Sequence, residues 1–194
     1  LIGIDLMADV LKSFIKELPE SDPFQPVAKE MPLVKKLIET GYTGRKGKGG
    51  FYRMNKEGGK KILEAINLET GEYSPSKKID IKSEKVDLKK LINRGDKYGD
   101  YAWSVISKII KYSSSLVPGI TDKFNDIDEA MRLGFNWSRG PFEMLKEIGV
   151  NNFFQKIDNF EGNKFLENLS KSKDENFYGE RQQYTEIETL GKIK

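Results

Sequence analysis

The residues best able to do chemistry lie in a basic, glycine-rich stretch over residues 41–52. Arg45, Lys46 and Lys48 alternate there with glycines, and Phe51 and Tyr52 follow directly. Over residues 45–61, seven basic side chains stand against one acidic side chain, which gives a local charge of +6. Such a patch can attract phosphate groups of a ligand.

Two known phosphate-binding motifs do not fit residues 41–52. No Gly-x4-Gly-Lys-Ser/Thr register is present, and the loop lacks both the preceding strand and the third glycine of a dinucleotide fingerprint. A structural interpretation stays open beside the ligand-binding one. In that interpretation the glycines permit positive φ and close packing, and Phe51 and Tyr52 anchor the loop.

The composition excludes several kinds of site. With no His in 194 residues, the chain has no His general base, no Ser-His or Cys-His pair and no His metal ligand, and we predict no metal site. A net charge of +3 beside 30 acidic residues argues against nucleic-acid binding. The lack of Cys, of a signal peptide and of a long apolar run predicts a cytoplasmic protein without a membrane span.

The elements that must position this loop are mainly helices, which are predicted for most of the remaining chain. Apolar spacing predicts helices over residues 4–18, 32–40, 86–91 and 99–117, and a small hairpin over residues 62–73. A polar linker is expected over residues 77–84, and further helices follow residue 149. The expected fold class is therefore mainly α with small β-hairpin excursions.

Two helices with a tight corner are expected over residues 126–149. Asp126 is predicted to cap the first helix, and Gly134 to end it after an apolar side formed by Ala130, Met131 and Leu133. Gly140 and Pro141 predict the start of the second helix, where Pro is favoured at the first position. The large rings near the corner are expected to face the core; these are Phe135 and Trp137.

This corner resembles the C-terminal helical domain of 3-hydroxyacyl-CoA dehydrogenases, whose segment reads roughly D-x-A-M-x-x-G-F-x-W-x-x-G-P-F-x-x-x-x-x-x-G. The matching residues are Asp128, Ala130, Met131, Gly134, Phe135, Trp137, Gly140, Pro141, Phe142 and Gly149. Residues 44–52 also resemble a G-x-x-G-x-K-x-G-x-G-F-Y type of loop in that family, with one extra glycine at Gly50. The loop residues concerned are Gly44, Arg45, Lys46, Lys48, Gly49, Phe51 and Tyr52.

A degenerate internal repeat is also visible. Ile-Gly, a helix, a connector, a short helix and Phe-Tyr occur from residue 2 to 52 and again from residue 148 to 178. A strand-like tail is expected after each copy, over residues 65–70 and 184–189. We therefore expect tandem helical repeats like the bundle at the C-terminus of 6-phosphogluconate dehydrogenase. Residues 1–55 would be the remainder of a first repeat, 56–85 a hairpin and polar linker, and 86–194 the second repeat. A counterpart of the residue 139–142 corner is expected before Leu1.

The resemblance implies part of an NAD-dependent 3-hydroxyacyl-CoA dehydrogenase of fatty-acid β-oxidation. The Rossmann domain of the same chain would bind NAD and carry the catalytic His–Glu pair, so this segment is expected to hold no catalytic or cofactor-binding residue and to be inactive alone. It would form a wall of the acyl-CoA cleft, with Arg45, Lys46 and Lys48 near the CoA ester. A hydratase domain or a second subunit are further expected partners.

Two alternatives remain open. The tandem repeat can be purely an association module, whose aromatic surfaces form an interface and whose basic loop is simply solvated. An unrelated basic binding module would explain the patch around Lys46 but not the ordered motif of the corner.

Overall fold

The computed structural model describes residues 3–77 and 87–178, which fold into two compact units over Leu1–Ser83 and Glu84–Lys194. Most of the described residues are helical, and one small antiparallel sheet accompanies the helices. The mainly helical class is thus confirmed. The repeat relation and its boundaries at residues 55 and 85 stay predictions. Most of the polar linker and the strand-like tail expected at residues 184–189 lie outside the described residues.

Within residues 3–77, the first unit contains two α-helices and a three-stranded sheet, besides two short 3-10 turns. Helices α1 (Ile4–Glu17) and α2 (Pro32–Glu39) meet through the buried side chains Ile4, Val34 and Leu37. Helix α1 stops one residue before Leu18, because a residue that precedes proline disfavours the helical region.

The sheet follows the glycine-rich loop. Its strands are β1 (Tyr52–Asn55), β2 (Ile62–Ile66) and β3 (Tyr73–Pro75), paired antiparallel in the order β1-β2-β3. The predicted hairpin corresponds to β2 and β3. Strand β1 was not expected, since its four residues follow a run of glycines and carry no strong apolar alternation.

The second unit is a six-helix bundle within the described residues. Its helices are α3 (Leu88–Ile92), α4 (Lys97–Ser115), α5 (Phe124–Phe135), α6 (Pro141–Ile148), α7 (Val150–Lys156) and α8 (Lys164–Ser172). Asp96 caps α4 by accepting the N–H groups of Tyr98 and Gly99. The core side chains come from five of these helices and include Ile92, Ile110, Leu145, Phe153 and Leu166.

Two expectations about the limits of α5 are wrong. The helix begins at Phe124, so Asp126 lies inside its first turn and accepts the hydroxyl of Thr121 instead of capping. Gly134 is still helical, and the helix ends at Phe135, followed by the C-cap residue Asn136 in the left-handed conformation with φ 55°. Asparagine tolerates that conformation, and this removes the need for a glycine at the end.

The apolar face expected for α5 is wrong at Ala130, Leu133 and Phe135, whereas Met131 is half-buried. Phe135 and Leu133 are 70% and 65% exposed, Ala130 is exposed, and Trp137 is half-buried. Phe124, at the other end of the helix, reaches the core instead. Its ring centroid lies 5.1 Å from that of Phe142, and 5.6 Å from those of three further aromatic residues: Phe165, Phe177 and Tyr178.

Candidate functional site

Asp128 organises the corner between α5 and α6. Its side chain is fully buried, and its carboxylate reaches from α5 to the first turn of α6. Oδ1 accepts the N–H of Phe142 at 2.8 Å, and Oδ2 accepts the N–H of Glu143 at 3.0 Å. The Tyr178 hydroxyl donates to Oδ2 at 2.9 Å. The carboxylate therefore caps a helix other than its own, and complements the positive end of that helix.

Gly140 is required by this arrangement. A Cβ added there would lie less than 3.0 Å from Oδ1, Cα and Cβ of Asp128. The N–H of Gly140 donates to Oε2 of Glu143 at 2.9 Å, and Glu143 in turn pairs with Arg132. Pro141 has no N–H to satisfy, so every backbone group at this helix start is accounted for. The corner motif is thus explained by helix capping and close packing.

Burial raises the pKa of the Asp128 carboxyl above its ordinary value, while the bonds from Phe142, Tyr178 and Glu143 act in the opposite direction. Burial and the neighbouring carboxylate also raise the pKa of Tyr178, so its hydroxyl stays a donor. The contacts of Asp128 are with this chain's own groups, and this describes a structural carboxylate.

The glycine-rich loop folds back on itself. Gly44 and Gly49 form an isolated antiparallel bridge, and their φ angles of 115° and 135° are open to glycine but not to residues with a Cβ. The structural interpretation of these glycines is therefore supported. Phe51 packs on the core of the first unit, as expected. Tyr52 does not, because its side chain is 60% exposed.

The three basic residues of the loop have different surroundings. Arg45 and Lys48 line an open cavity of about 640 Å³, together with glycines of the loop, Arg53 and Lys56. Lys46 does not line it, since its ammonium pairs with Asp5 of α1. Lys48 also donates to the carbonyl of Thr40 at 3.1 Å. Arg45 is exposed and forms no ion pair within residues 3–77.

Arg53 and Glu64 form a largely buried ion pair beside this cavity. The Nε–Oε2 distance is 2.6 Å, and the guanidinium lies 4.1 Å from the centroid of the Tyr73 ring. The pKa of Glu64 lies below its ordinary value. The hydrogen bond from the Asn55 amide is the largest cause, and the bond from Arg53 is the next largest. The sequence did not single out this pair. The strand pairing that opposes positions 53 and 64 was the missing information.

The described residues do not form an NAD site of the Rossmann kind. Their strands are antiparallel, and the glycine-rich loop leads into β1 and not into a helix. A dinucleotide site of the Rossmann kind needs a parallel strand–helix–strand unit with the pyrophosphate at a helix start. Residues 3–77 and 87–178 also contain no group of three His, Cys, Asp or Glu suited to a metal ion. None of their helices is long and apolar enough to cross a membrane.

Comparison with known proteins shows similarity to one region of longer fatty-acid oxidation proteins. A Rickettsia felis protein, provisionally named a fatty acid oxidation complex trifunctional enzyme, is 37% identical over 183 residues, covering 89% of this chain and 25% of that protein. A Rickettsia prowazekii protein of the same name is 40% identical over 157 residues, covering 81% of this chain and 21% of that protein. A Bacillus subtilis protein, provisionally named a 3-hydroxyacyl-CoA dehydrogenase, is 30% identical over 165 residues, covering 81% of this chain and 20% of that protein.

The resemblance to 3-hydroxyacyl-CoA dehydrogenases is therefore confirmed, and the chain is homologous to part of such proteins. It spans a fifth to a quarter of the length of these relatives. No protein-family model matches the chain, and no solved structure matches it.

Proposed function

We propose that the chain is the C-terminal helical part of an NAD-dependent 3-hydroxyacyl-CoA dehydrogenase of fatty-acid β-oxidation in the cytoplasm. Its role is to form a wall of the acyl-CoA cleft and a packing surface for a Rossmann domain of the same protein, which would bind NAD. A hydratase domain or a second subunit are further partners in this proposal. The observation that carries it is the similarity over most of the chain to a protein named as this dehydrogenase. On its own, the chain is expected to be inactive.

The open basic cavity supports a place for the phosphates of CoA. Arg45 and Lys48 line it, and four glycines of the loop contribute backbone without side chains to its wall. Its volume of about 640 Å³ falls within the range of small-molecule sites, roughly 300–1,000 Å³. Lys46 contributes less in this proposal, because Asp5 neutralises its charge.

A calorimetric titration with acetoacetyl-CoA tests this placement. Saturable binding to the full chain is expected, and the paired change Arg45→Ala with Lys48→Ala should weaken it at least tenfold, about 1.4 kcal/mol. Lys60→Ala is the matched control, because it removes the same kind of charge from the β1–β2 connection, outside the cavity. Equal binding by all three proteins would place the CoA phosphates elsewhere.

A second candidate is an association module with no ligand site of its own. The observation that favours it is the exposed apolar surface of α1, where Met7, Val10 and Phe14 are all exposed. Apolar patches of this kind mark interaction surfaces. Light scattering separates the two candidates: a concentration-dependent dimer without acetoacetyl-CoA binding favours the module, and a monomer that binds the ester favours the cleft wall.

A further inference from the structure

An apolar groove of about 730 Å³ lies between α1 and α2 in the first unit. Its floor includes Leu11, Val34 and Ile38, and its rim carries Met7 and Met31, which are 43% and 52% exposed. Within residues 3–77 the only helices longer than one turn are α1 and α2, so no helix of this part of the chain covers the groove.

The second unit contains the same pair of helices with their groove filled. Helices α1 and α7 begin directly after Gly3 and Gly149, and their first residues, Ile4 and Val150, are both buried. In both α2 and α8, the third and sixth helical residues are the buried ones. These are Val34 and Leu37 in α2, and Leu166 and Leu169 in α8. In this correspondence Met7 is the equivalent of Phe153, and Met31 is the equivalent of Asn163.

Helix α4 occupies that face in the second unit. The ring of Phe153 meets Trp103 of α4 at a centroid distance of 5.6 Å. The amide of Asn163 donates to the carbonyl of Lys111 at 3.0 Å and to the hydroxyl of Ser114 at 2.9 Å, both on α4. The positions that are exposed in the first unit are therefore covered by one long helix in the second.

We propose that the α1–α2 groove is the docking site for an amphipathic helix of the α4 kind. The bound helix presents an apolar stripe to Met7, Leu11 and Val34. At the position equivalent to Ser114 the bound helix carries an apolar residue. In the second unit the amide of Asn163 donates to the Ser114 hydroxyl, whereas the side chain of Met31, at the equivalent position of the first unit, has no polar hydrogen to donate. The Ser114 hydroxyl of α4 donates to the carbonyl of Lys111 in its own helix, but beside a thioether it would lose the bond that it accepts from Asn163, and that loss on burial would cost free energy. The two methionines are adaptable enough to fit such a residue. This proposal depends on the repeat relation between the units and is independent of the CoA site.

Single-cysteine labelling tests the proposal in the full chain, which has no cysteine of its own. Met31→Cys places a thiol in the groove, and Lys60→Cys provides an exposed control outside it. The probe is a stapled peptide with the α4 sequence and Ser114→Leu, whose helicity is checked by circular dichroism. The maleimide labelling rate at residue 31 should fall about tenfold once the peptide reaches about nine times its Kd, since the free fraction falls as 1/(1 + [L]/Kd). The rate at residue 60 should not change.

A matched peptide with Ile110→Asp breaks the apolar stripe and should not protect residue 31. The peptide with the native Ser114 should protect it less than the Leu peptide. Protection that is equal for all three peptides, or absent for a helical Leu peptide, refutes the proposal. Protection that appears without peptide as the chain concentration rises identifies a second copy as the occupant, and protection by decanoate alone identifies a small apolar ligand; both overturn it.

Discussion

The hydrogen bond from Tyr178 to Asp128 should contribute strongly to the stability of the second unit. Tyr178→Phe removes the hydroxyl but keeps the ring, which lies 5.6 Å from Phe124 and 5.3 Å from the ammonium of Lys146. A hydrogen bond to a charged group has a net value of about 1.5–3 kcal/mol. For a unit of this size, a loss of about 1.5 kcal/mol lowers Tm by about 6–12 °C.

Asp128→Asn should cost more than Tyr178→Phe. An Asn amide offers one oxygen to the three donors that now reach the carboxylate, from Phe142, Glu143 and Tyr178. Its NH2 group turns toward a backbone N–H, so at least one buried donor is left unsatisfied, at about 1–3 kcal/mol. Because the two residues share one bond, the double variant should lose less than the sum of the single losses, by about 0.5–3 kcal/mol.

Urea unfolding followed by circular dichroism measures all three variants. Tyr101→Phe is the control, since it makes the same chemical change at a side chain that is 73% exposed. If Tyr178→Phe shifts the unfolding free energy no more than Tyr101→Phe does, the hydroxyl does not support the buried carboxylate. Strictly additive losses in the double variant would also refute the reasoning.

Two further predictions concern the same unit. Gly140→Ala should destabilise this unit by about 1–3 kcal/mol, because the new methyl group would collide with Asp128. Gly134→Ala has open space around it and should stabilise α5 by about 0.5–1 kcal/mol. The same urea titration measures both variants. A lower unfolding free energy for both variants would contradict the view that only Gly140 is required by close packing. The N–H groups at the start of α7, Asn151 foremost, lower the pKa of Glu175, so its contribution is present above the unfolded value of 4.5 and is lost as the pH falls through the folded value. The difference in unfolding free energy between the chain and Glu175→Gln should therefore become smaller as the pH falls below about 5, and a difference that is constant with pH would exclude this linkage.

The sequence predicted most helices because their signals are local. Pro19, Pro32 and Pro141 fix the end or start of a helix by covalent geometry, and the structure places these limits within a residue or two. The predicted start of α5 was wrong because the helix begins two residues before Asp126, after Lys123, without a side-chain cap. Asp126 has the right chemistry for a cap, but its oxygen is taken by Thr121.

The candidate site could be predicted only in part. Charge and glycine content located the loop, but not which cations share one cavity, because pairing with Asp5 depends on where α1 begins relative to the loop. The role of Tyr178 was equally hidden, since 50 residues separate it from Asp128. Its one visible signal was the second Phe-Tyr pair, and that pair does not by itself name a partner.

The 50-residue separation between Asp128 and Tyr178 has a consequence for synthesis on the ribosome. At about 5–20 residues per second, Tyr178 leaves the exit tunnel roughly 3–10 s after Asp128. Helices form in about a microsecond, so the α5–α6 corner can fold in the nascent chain long before its last partner arrives. During those seconds the ring contacts of Phe124 with Phe177 and Tyr178 cannot yet form. The second unit can therefore reach its final packing only after translation has passed these two aromatic residues.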